Sequence, residues 1–454
     1  MSFESINPYN GESIKQVSDW DESQIESALK QAASAVPAWQ ATSIAERCAI
    51  VRKAGEVLRS RKRELAEMLT LEMGKLIGES EAEVEKCAWV CDYYADEGPG
   101  FLADEIIESD ACKSLVAHQP LGTVLAVMPW NFPLWQVFRF AAPALVAGNA
   151  GLLKHASNVP GSAQAIEDIF REAGAPEGVF TSLMIRASQV AKIIEDPRVH
   201  AVTLTGSEPA GRQVAATAGA SLKKSVLELG GSDAFIVLED CDMESAVKTA
   251  VASRFLNGGQ SCIAAKRFIV VEAIADEFVG QFKLAVEELQ LGDPMDPKTT
   301  LAPMARTDLR DELDQQVQKS IEAGAEPLTG CQSSDAAHAG YAPSVLDSVK
   351  PGMAAYKEEL FGPVAIVIRA CDEADAVRIA NDSPFGLGGS VWTRNLERGE
   401  RVARQIESGA TFVNGIVKSD PRLPFGGVKN SGYGRELSKL GMHEFVNAKT
   451  IWIG

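Results

Sequence analysis

From about residue 120 onward, short apolar runs alternate with stretches of helical periodicity, and this alternation constrains the fold more than any other feature. It indicates βαβ units around a parallel sheet. Residues 22–95 are predicted to be helical, because apolar side chains recur there at helical spacing. We therefore predict an α/β protein whose two α/β domains meet near 228–262. The predicted strands are 123–128, 151–155, 179–185, 200–206, 225–229, 234–238, 267–272, 364–370, 390–393 and 410–414. The predicted helices after residue 120 are 162–173, 188–195, 243–256, 273–289, 373–381 and 396–406, and 330–342 is predicted to be an exposed loop.

The length of the chain predicts more than one domain, and its net charge excludes some classes of binding partner. At 454 residues the chain exceeds the size at which one hydrophobic core usually stops growing, so more than one domain is expected. The net charge of −18 argues against nucleic acid or an anionic membrane as a partner. No apolar run is long enough to cross a bilayer, and the N-terminal segment lacks the pattern of a secretory signal.

The eight cysteines are scattered, and with the five histidines they form no metal motif. No CxxC pair occurs and no ligand spacing typical of zinc is present, so no metal site is predicted. Reduced thiols are the simplest interpretation of such scattered cysteines. Together with the missing signal pattern, this predicts a cytoplasmic protein.

One cysteine, Cys262, follows a glycine-rich stretch at 255–259. Glycine lets a ligand and the backbone approach each other closely, so this thiol is predicted to reach a bound molecule. Glu228, in the segment 227–231, supplies a carboxylate upstream of it. A nucleophilic thiol and a carboxylate base indicate acyl chemistry through a covalent sulfur intermediate.

Two further segments indicate a phosphate-bearing ligand. The turn 205–211 follows a predicted strand and opens a helix, whose free N–H groups suit a phosphate. An ordinary strand-to-helix turn is the alternative. Lys154 ends another predicted strand, where ligands of parallel sheets bind, although a solvated lysine is the simpler interpretation. Ser157 has the alternative role of capping the next helix.

With these residues identified, the chain resembles the aldehyde dehydrogenase superfamily, from about Asn7 to the C-terminus. Within that family the stretches 129–139 and 414–422 are similar to members that oxidise succinate semialdehyde. The motifs that carry the resemblance are 129–133, 204–207, 227–231, 255–262, 359–363 and 424–432.

The resemblance implies the domain organisation. It predicts an aldehyde dehydrogenase-like fold with a Rossmann-type cofactor domain, an α/β catalytic domain and a small β oligomerisation element. The strand edge at 446–452 would need a partner subunit to cover it, so a homodimer or homotetramer is expected. The implied boundaries are 1–109 and 128–227 for the cofactor domain, 228–435 for the catalytic domain, and 110–127 with 436–454 for the oligomerisation element.

The resemblance also implies a mechanism. Cys262 would attack an aldehyde as its thiolate, and the Asn131 amide with the Cys262 backbone N–H would stabilise the oxyanion. After hydride leaves for a nicotinamide, Glu228 would activate the water that releases the acid. Among the contacts, Glu359 would hold the nicotinamide ribose. The implied cofactor-binding residues are Trp130, Lys154, Ser157, Gly206, Ser207, Leu229, Glu359 and Phe361.

The cofactor is predicted to be NADP in preference to NAD. Many relatives that use NAD have a glutamate three residues after the lysine, and that carboxylate repels a 2′-phosphate. Here the position is Ser157, which removes the charge and adds a hydroxyl beside Lys154. One departure from the family is the segment 185–188, which replaces a glycine-rich turn, so its cofactor contacts do not carry over.

The small-molecule substrate is predicted to be an aldehyde with a carboxylate. Trp135 and Arg139 are four residues apart and so share a helix face, and an arginine can clamp a carboxylate with two hydrogen bonds. Ser419 is the second candidate by resemblance, and Lys418 and Arg422 are weaker ones. Glutarate semialdehyde or a neutral aldehyde are alternative substrates. A CoA-acylating enzyme, a thiol hydrolase and a non-enzymatic binding protein are alternative functions.

Overall fold

The structure is a computed structural model that describes residues 2–454. Its helices are α1 (Glu22–Ala41), α2 (Ile44–Ser60), α3 (Lys62–Met73), α4 (Ile77–Phe101), α5 (Trp135–Ala147), α6 (Pro160–Glu172), α7 (Val190–Glu195), α8 (Glu208–Ala220), α9 (Met243–Phe255), α10 (Glu272–Glu287), α11 (Thr307–Glu322), α12 (Ala354–Lys357), α13 (Glu373–Asn381), α14 (Leu396–Ala403) and α15 (Ser438–His443).

The strands are β1 (Ser2–Ile6), β2 (Ser13–Ser18), β3 (Glu105–Ile106), β4 (Lys113–Pro120), β5 (Thr123–Val127), β6 (Ala150–Lys154), β7 (Phe180–Ser182), β8 (Val199–Thr205), β9 (Lys224–Glu228), β10 (Asp233–Val237), β11 (Ala265–Val271), β12 (Glu326–Thr329), β13 (Ser344–Asp347), β14 (Val364–Ala370), β15 (Phe385–Gly386), β16 (Gly388–Trp392), β17 (Ala410–Val413), β18 (Val428–Lys429), β19 (Gly432–Tyr433) and β20 (Val446–Ile453). The predicted strands after residue 120 are all present, with ends shifted by at most a few residues.

One sheet has the order β19-β9-β8-β5-β6-β7 and is parallel except for β19. Successive residues of β5 point to opposite faces: Val124 and Ala126 pack with α2, α4, α5 and α6, whereas Leu125 packs with α1, α7 and α8. Helices therefore cover both faces, as in a doubly wound fold. The carboxyl ends of β6, β8 and β9 place Lys154, Thr205 and Glu228 along one edge.

A second sheet has the order β12-β13-β14-β11-β10-β16-β17, with β12 as its antiparallel edge. Its central strand β11 is buried along its whole length, because α9 and α10 cover one face and α11 to α14 the other. Strand β19 belongs to the other sheet, where Gly432 pairs with Glu228. The end of the second half of the chain is therefore fixed beside the end of β9.

A third, small sheet has the order β20-β4-β3, and β20 is an edge strand with exposed Trp452 and Ile453. Two strands differ from the predicted boundaries. Strand β5 lies inside the doubly wound sheet rather than in the small sheet, and β3 joins the small sheet. The division into domains otherwise stays a prediction. No helix among residues 2–454 is long and apolar enough to span a bilayer.

The segment 300–347 is where the sequence analysis was weakest. It missed α11, β12 and β13. The loop 330–342 is not simply exposed either, because Ala339 and Tyr341 are buried. The reason is that the N-terminal segment covers it: Ala339 N–H donates to the Pro8 carbonyl at 2.9 Å, and His338 N–H to that of Tyr9 at 2.7 Å.

Candidate active site

The loop that carries Cys262 begins where α9 ends. Asn257 and Gly258 take left-handed conformations, with φ of 56° and 60°, and turn the chain back toward the first half of the molecule. Gly259 follows with φ of 74°, and a Cβ there would lie 2.3 Å from the Gly362 carbonyl oxygen. Only glycine fits at this position. The loop thus delivers Cys262, partly exposed, just before β11.

Asn131 is hydrogen-bonded to this loop. Its Nδ2 donates to the Gln260 carbonyl at 3.0 Å, and its own carbonyl accepts from Asn257 Nδ2 at 2.8 Å. An amide nitrogen has two N–H groups, so one remains for a ligand. Asn131 and Cys262 line the same cavity. This arrangement suits stabilisation of an oxyanion on a carbon attached to the Cys262 sulfur.

Cys262 lies where two cavities meet. One, of about 290 Å³, we call the cofactor-side cavity, and the other, of about 240 Å³, the substrate-side cavity. Gln136 lines both, and its Oε1 has no hydrogen-bond partner among the described residues. The sequence analysis did not identify Gln136. A sulfur at such a junction can be approached by one molecule from each side.

The structure brings six of the predicted cofactor residues into the cofactor-side cavity. Glu359 is held there by the Gly231 N–H at 3.1 Å and by Lys266 Nζ at 3.2 Å. Trp130 and Phe361 meet edge to face, with ring centroids 5.8 Å apart. The six residues are Trp130, Gly206, Ser207, Leu229, Glu359 and Phe361.

Lys154 and Ser157 line a different cavity, of about 640 Å³, together with Asn158, Arg186 and Arg306. Burial lowers the pKa of the Lys154 ammonium. Neither polar side-chain atom of the buried Asn158 has a partner within residues 2–454. Unpaired polar atoms beside three cationic side chains fit the phosphate-bearing half of a dinucleotide. Arg306 carried no recognisable signal in the sequence.

Glu228 ends β9 and is buried. Burial raises the pKa of its carboxyl well above the usual value; Glu436 raises it further, whereas Arg139 and Arg435 lower it. Neither carboxyl oxygen has a hydrogen-bond partner in the described part of the chain. A Cβ at Gly426, where φ is +149°, would lie 2.7 Å from Glu228 Oε1, so the glycine makes room for this carboxyl.

Neither of the two cavity linings contains Glu228, whose carboxyl lies beside Gly426 instead. To take a proton from water beside Cys262, the carboxyl has to rotate toward the sulfur. The partner acid Glu436 was not found by the sequence analysis, because no local pattern marks it.

Arg139 is buried on α5 and forms an ion pair with Glu436. Its Nη2 donates to Thr205 Oγ1 at 3.0 Å, and its guanidinium carbon lies 4.8 Å from the centre of the Phe425 ring. It also lines the substrate-side cavity. The carboxylate clamp expected of Arg139 stays a prediction, and this placement speaks against it because the cation already has an acid partner.

Burial raises the pKa of the Cys262 thiol to about 12, although Arg139 and Lys266 act in the opposite direction. The resting form at neutral pH is therefore the thiol. Since the thiolate is the nucleophile, the proton has to leave before the sulfur attacks. Lys266 Nζ donates to the carbonyls of Ser261 and Cys262, both at 2.9 Å, and so holds positive charge beside the sulfur.

Trp135 and Ser419, both predicted to bind the substrate, meet in the substrate-side cavity, a contact that the sequence analysis did not predict. Trp135 Nε1 donates to Ser419 Oγ at 3.0 Å. Lys86, from α4, donates to the same oxygen at 2.8 Å and was not predicted. The two residues are 333 positions apart, a separation that no motif bridges. Within the described residues, no group of three or more His, Cys, Asp or Glu side chains could hold a metal.

Comparison with known proteins identifies the family to which the chain belongs. The model of the aldehyde dehydrogenase family matches residues 1–451, and the chain belongs to that family.

Among its curated relatives, the probable succinate-semialdehyde dehydrogenase [NADP(+)] of Synechocystis is 49% identical over 100% of both chains. The succinate semialdehyde dehydrogenase [NAD(P)+] of Escherichia coli is also 49% identical, over 99% of this chain and 97% of the relative. The crystal structure of succinic semialdehyde dehydrogenase from Streptococcus pyogenes in complex with NADP+ has a TM-score of 0.98, with 39% identity over 99% of both chains.

Proposed function

We propose that this protein oxidises succinate semialdehyde to succinate and uses NADP in preference to NAD. One observation carries the proposal: Cys262 stands between a cavity lined by the predicted nicotinamide-side residues and a second one lined by Trp135 and Ser419. The full-length relatives named above support the choice of substrate and cofactor. Glu228 favours hydrolysis of the acyl-enzyme over transfer to CoA, because it offers a base for water.

The side chains have distinct tasks in this reaction. The Cys262 sulfur attacks the aldehyde carbon, and the free N–H of Asn131 Nδ2 donates to the resulting oxyanion. A bound nicotinamide would supply the hydride acceptor on the cofactor side of the sulfur, where Glu359, Trp130 and Phe361 would hold it. Glu228, once rotated toward the sulfur, takes a proton from water, which then releases succinate from the thioester.

The cofactor would bind along the edge formed by the carboxyl ends of β6, β8 and β9. Glu359 would hold the nicotinamide ribose beside Trp130 and Phe361, and Lys154 with Ser157 would face the adenosine ribose. A hydroxyl at 157 accommodates a 2′-phosphate, whereas a carboxylate there would repel it. Arg186 and Arg306 line this cavity, although each also pairs with a neighbouring aspartate.

The proposal also includes self-association of the chain into a homo-oligomer through the edge of β20. The outer edge of β20 is unpaired among residues 2–454, and Trp452 is 56% exposed. An open strand edge with an exposed aromatic side chain needs covering, and a second copy of the chain would provide it. Sedimentation would distinguish a dimer from a tetramer.

The proposal is tested with a panel of aldehydes against both cofactors, followed by NADPH or NADH absorbance. We expect the highest kcat/KM for succinate semialdehyde with NADP, above glutarate semialdehyde and butanal. Ser157→Glu should shift the NADP-to-NAD preference toward NAD by about tenfold or more, because one charge-assisted contact is replaced by repulsion. An unchanged preference would remove Ser157 from the cofactor site, and a better rate with butanal would refute the substrate assignment.

A further inference from the structure

The substrate-side cavity contains a lysine that forms no ion pair with any acid among residues 2–454. Lys86 projects from α4 into the cavity that Cys262 also lines. Its Nζ donates to Ser419 Oγ at 2.8 Å and lies 4.2 Å from the centre of the Trp135 ring. Both contacts are electrically neutral. A cation over an indole ring is stabilised, yet its charge is not cancelled.

The acids near Lys86 are engaged with other cations. Glu83, one turn earlier on α4, pairs with Lys75. Asp420, next to Ser419, pairs with Arg422 at 2.7 Å. On the outer side of the helix, Glu85 pairs with Arg59 at 2.9 Å. In the described part of the chain, the ammonium group therefore has no ion-pair partner, and its charge at the wall of this cavity is costly unless an anion enters.

The hydrogen bonds around Ser419 point to the same kind of ligand. Its oxygen accepts from both Lys86 Nζ and Trp135 Nε1, which uses its two acceptor positions. The hydroxyl hydrogen is then free to donate. Lys86 has two more N–H groups to offer. This end of the cavity presents donors to a ligand, as a carboxylate requires.

We propose that Lys86, together with the Ser419 hydroxyl, binds the carboxylate of the substrate and so selects aldehydes that carry one at their far end. The proposal rests on the proposed function and assigns its substrate-binding cation. Arg139 lines the same cavity, but its guanidinium pairs with Glu436. Of the two cations, Lys86 is the one whose charge a substrate would neutralise.

A charge-removing variant tests this directly. Lys86→Met keeps the length and apolar character of the side chain and removes the ammonium. We expect its kcat/KM to fall about fiftyfold for succinate semialdehyde and less than threefold for butanal, since one charge-assisted contact is lost only with the first. The matched control is Lys248→Met, an exposed lysine on α9 that lines neither cavity, which should leave both values within about twofold.

Two features separate binding from a merely structural role. The ratio of kcat/KM for the two aldehydes is measured in one preparation. A smaller fraction of folded enzyme lowers both values equally and leaves their ratio unchanged. Lys86→Arg, which keeps the charge, should recover most of the preference. The proposal would be overturned if Lys86→Met lowered kcat/KM equally for both aldehydes, or if Lys86→Arg did not recover the preference for succinate semialdehyde. If the unaltered protein itself shows no preference for succinate semialdehyde, the proposed function fails and this assignment fails with it.

The pH dependence supplies a second readout. Burial lowers the pKa of the Lys86 ammonium to about 8, and Arg139 acts in the same direction, whereas Cys87 and Glu83 on α4 and Asp420 act in the opposite one. The charged form is present below that pKa. The preference for succinate semialdehyde over butanal should therefore decline as the pH rises through about 8, and Lys86→Met should show no such decline. A preference that is flat in the unaltered protein would contradict the proposal.

Discussion

Two regions at opposite sides of the Cys262 sulfur differ in how their charges are balanced. Around the end of β9 lie two buried acids, Glu228 and Glu436. Arg139 forms an ion pair with Glu436, whereas Glu228 has no ion pair among residues 2–454 and only feels the charges of Arg139 and Arg435. Around Ser419, the cation Lys86 forms no ion pair among residues 2–454, because the nearby acids pair with other cations. The first region thus has a surplus acid, Glu228, and the second a surplus cation, Lys86.

Each imbalance suits a different task. A surplus buried acid stays protonated until its surroundings change, which is the property needed of a group that exchanges protons with water. A surplus cation is stabilised when an anion binds beside it, and such a group can therefore select substrates that carry a negative charge. The comparison predicts that variants in the first region alter the rate with every aldehyde, whereas variants in the second alter selectivity.

The largest effect is expected from Glu228→Gln. It removes the proposed base without changing the shape of the side chain, so kcat should fall about a thousandfold with succinate semialdehyde and butanal alike. A first-turnover burst of NADPH should remain, because the variant still forms the thioester and then releases it slowly. Rapid-mixing absorbance measures both quantities. A loss confined to one aldehyde would contradict the separation of the two regions.

The next largest effect is expected from Arg139→Met. It leaves Glu436 buried without its cation, which costs about 3–5 kcal/mol of folding stability at neutral pH. The thermal midpoint should drop, while the ratio of kcat/KM between the two aldehydes stays within about threefold. In Lys86→Met the midpoint should hardly move, because no acid loses a partner. If Arg139→Met instead raises KM for succinate semialdehyde alone, Arg139 does bind the substrate carboxylate, as the sequence analysis predicted.

The smallest effect on the rate, a shift in its pH dependence, is expected from Glu436→Gln, which also lowers stability because Arg139 stays buried without its acid. The negative charge of Glu436 raises the pKa of Glu228, so removing that charge lowers it. Glu228 acts as a base in its ionised form, which exists above its pKa. The acidic limb of the kcat profile should therefore move to lower pH in the variant, as measured by steady-state rates from acidic to neutral pH. A limb that stays in place would mean that Glu228 does not set it.

The sequence identified the parts of this site that lie at the ends of strands. The apolar runs of β6, β8 and β9 are bounded by polar or glycine residues, so Lys154, Gly206 and Glu228 fall at the strand ends where ligands bind. The glycine-rich stretch before Cys262 was also visible, but its glycines were taken to admit a ligand, whereas the structure places them in a left-handed turn against other backbone. These features depend on local physics and are therefore visible in one chain.

Contacts between distant segments were not readable. The spacing of Trp135 and Arg139 correctly placed them on one side of a helix, yet spacing does not reveal the partner that each side chain meets. Trp135 meets Ser419, and Arg139 meets Glu436. Likewise the segment that forms most of α4 was predicted only to be helical, since nothing in its periodicity indicates that Lys86 enters a cavity. Long-range packing decides these questions.

Helix α4 reaches three parts of the site from a single face. Glu79 accepts from the Asn257 N–H at 3.0 Å, which steadies the turn that carries the sulfur. Glu83 accepts from the Leu134 and Trp135 N–H groups at 2.9 and 3.0 Å, which anchors the start of α5. Lys86 follows one turn later. Because these three contacts lie on consecutive turns of one helix, the aldehyde preference can be changed at the turn of Lys86 while Glu79 keeps supporting the loop that carries the sulfur.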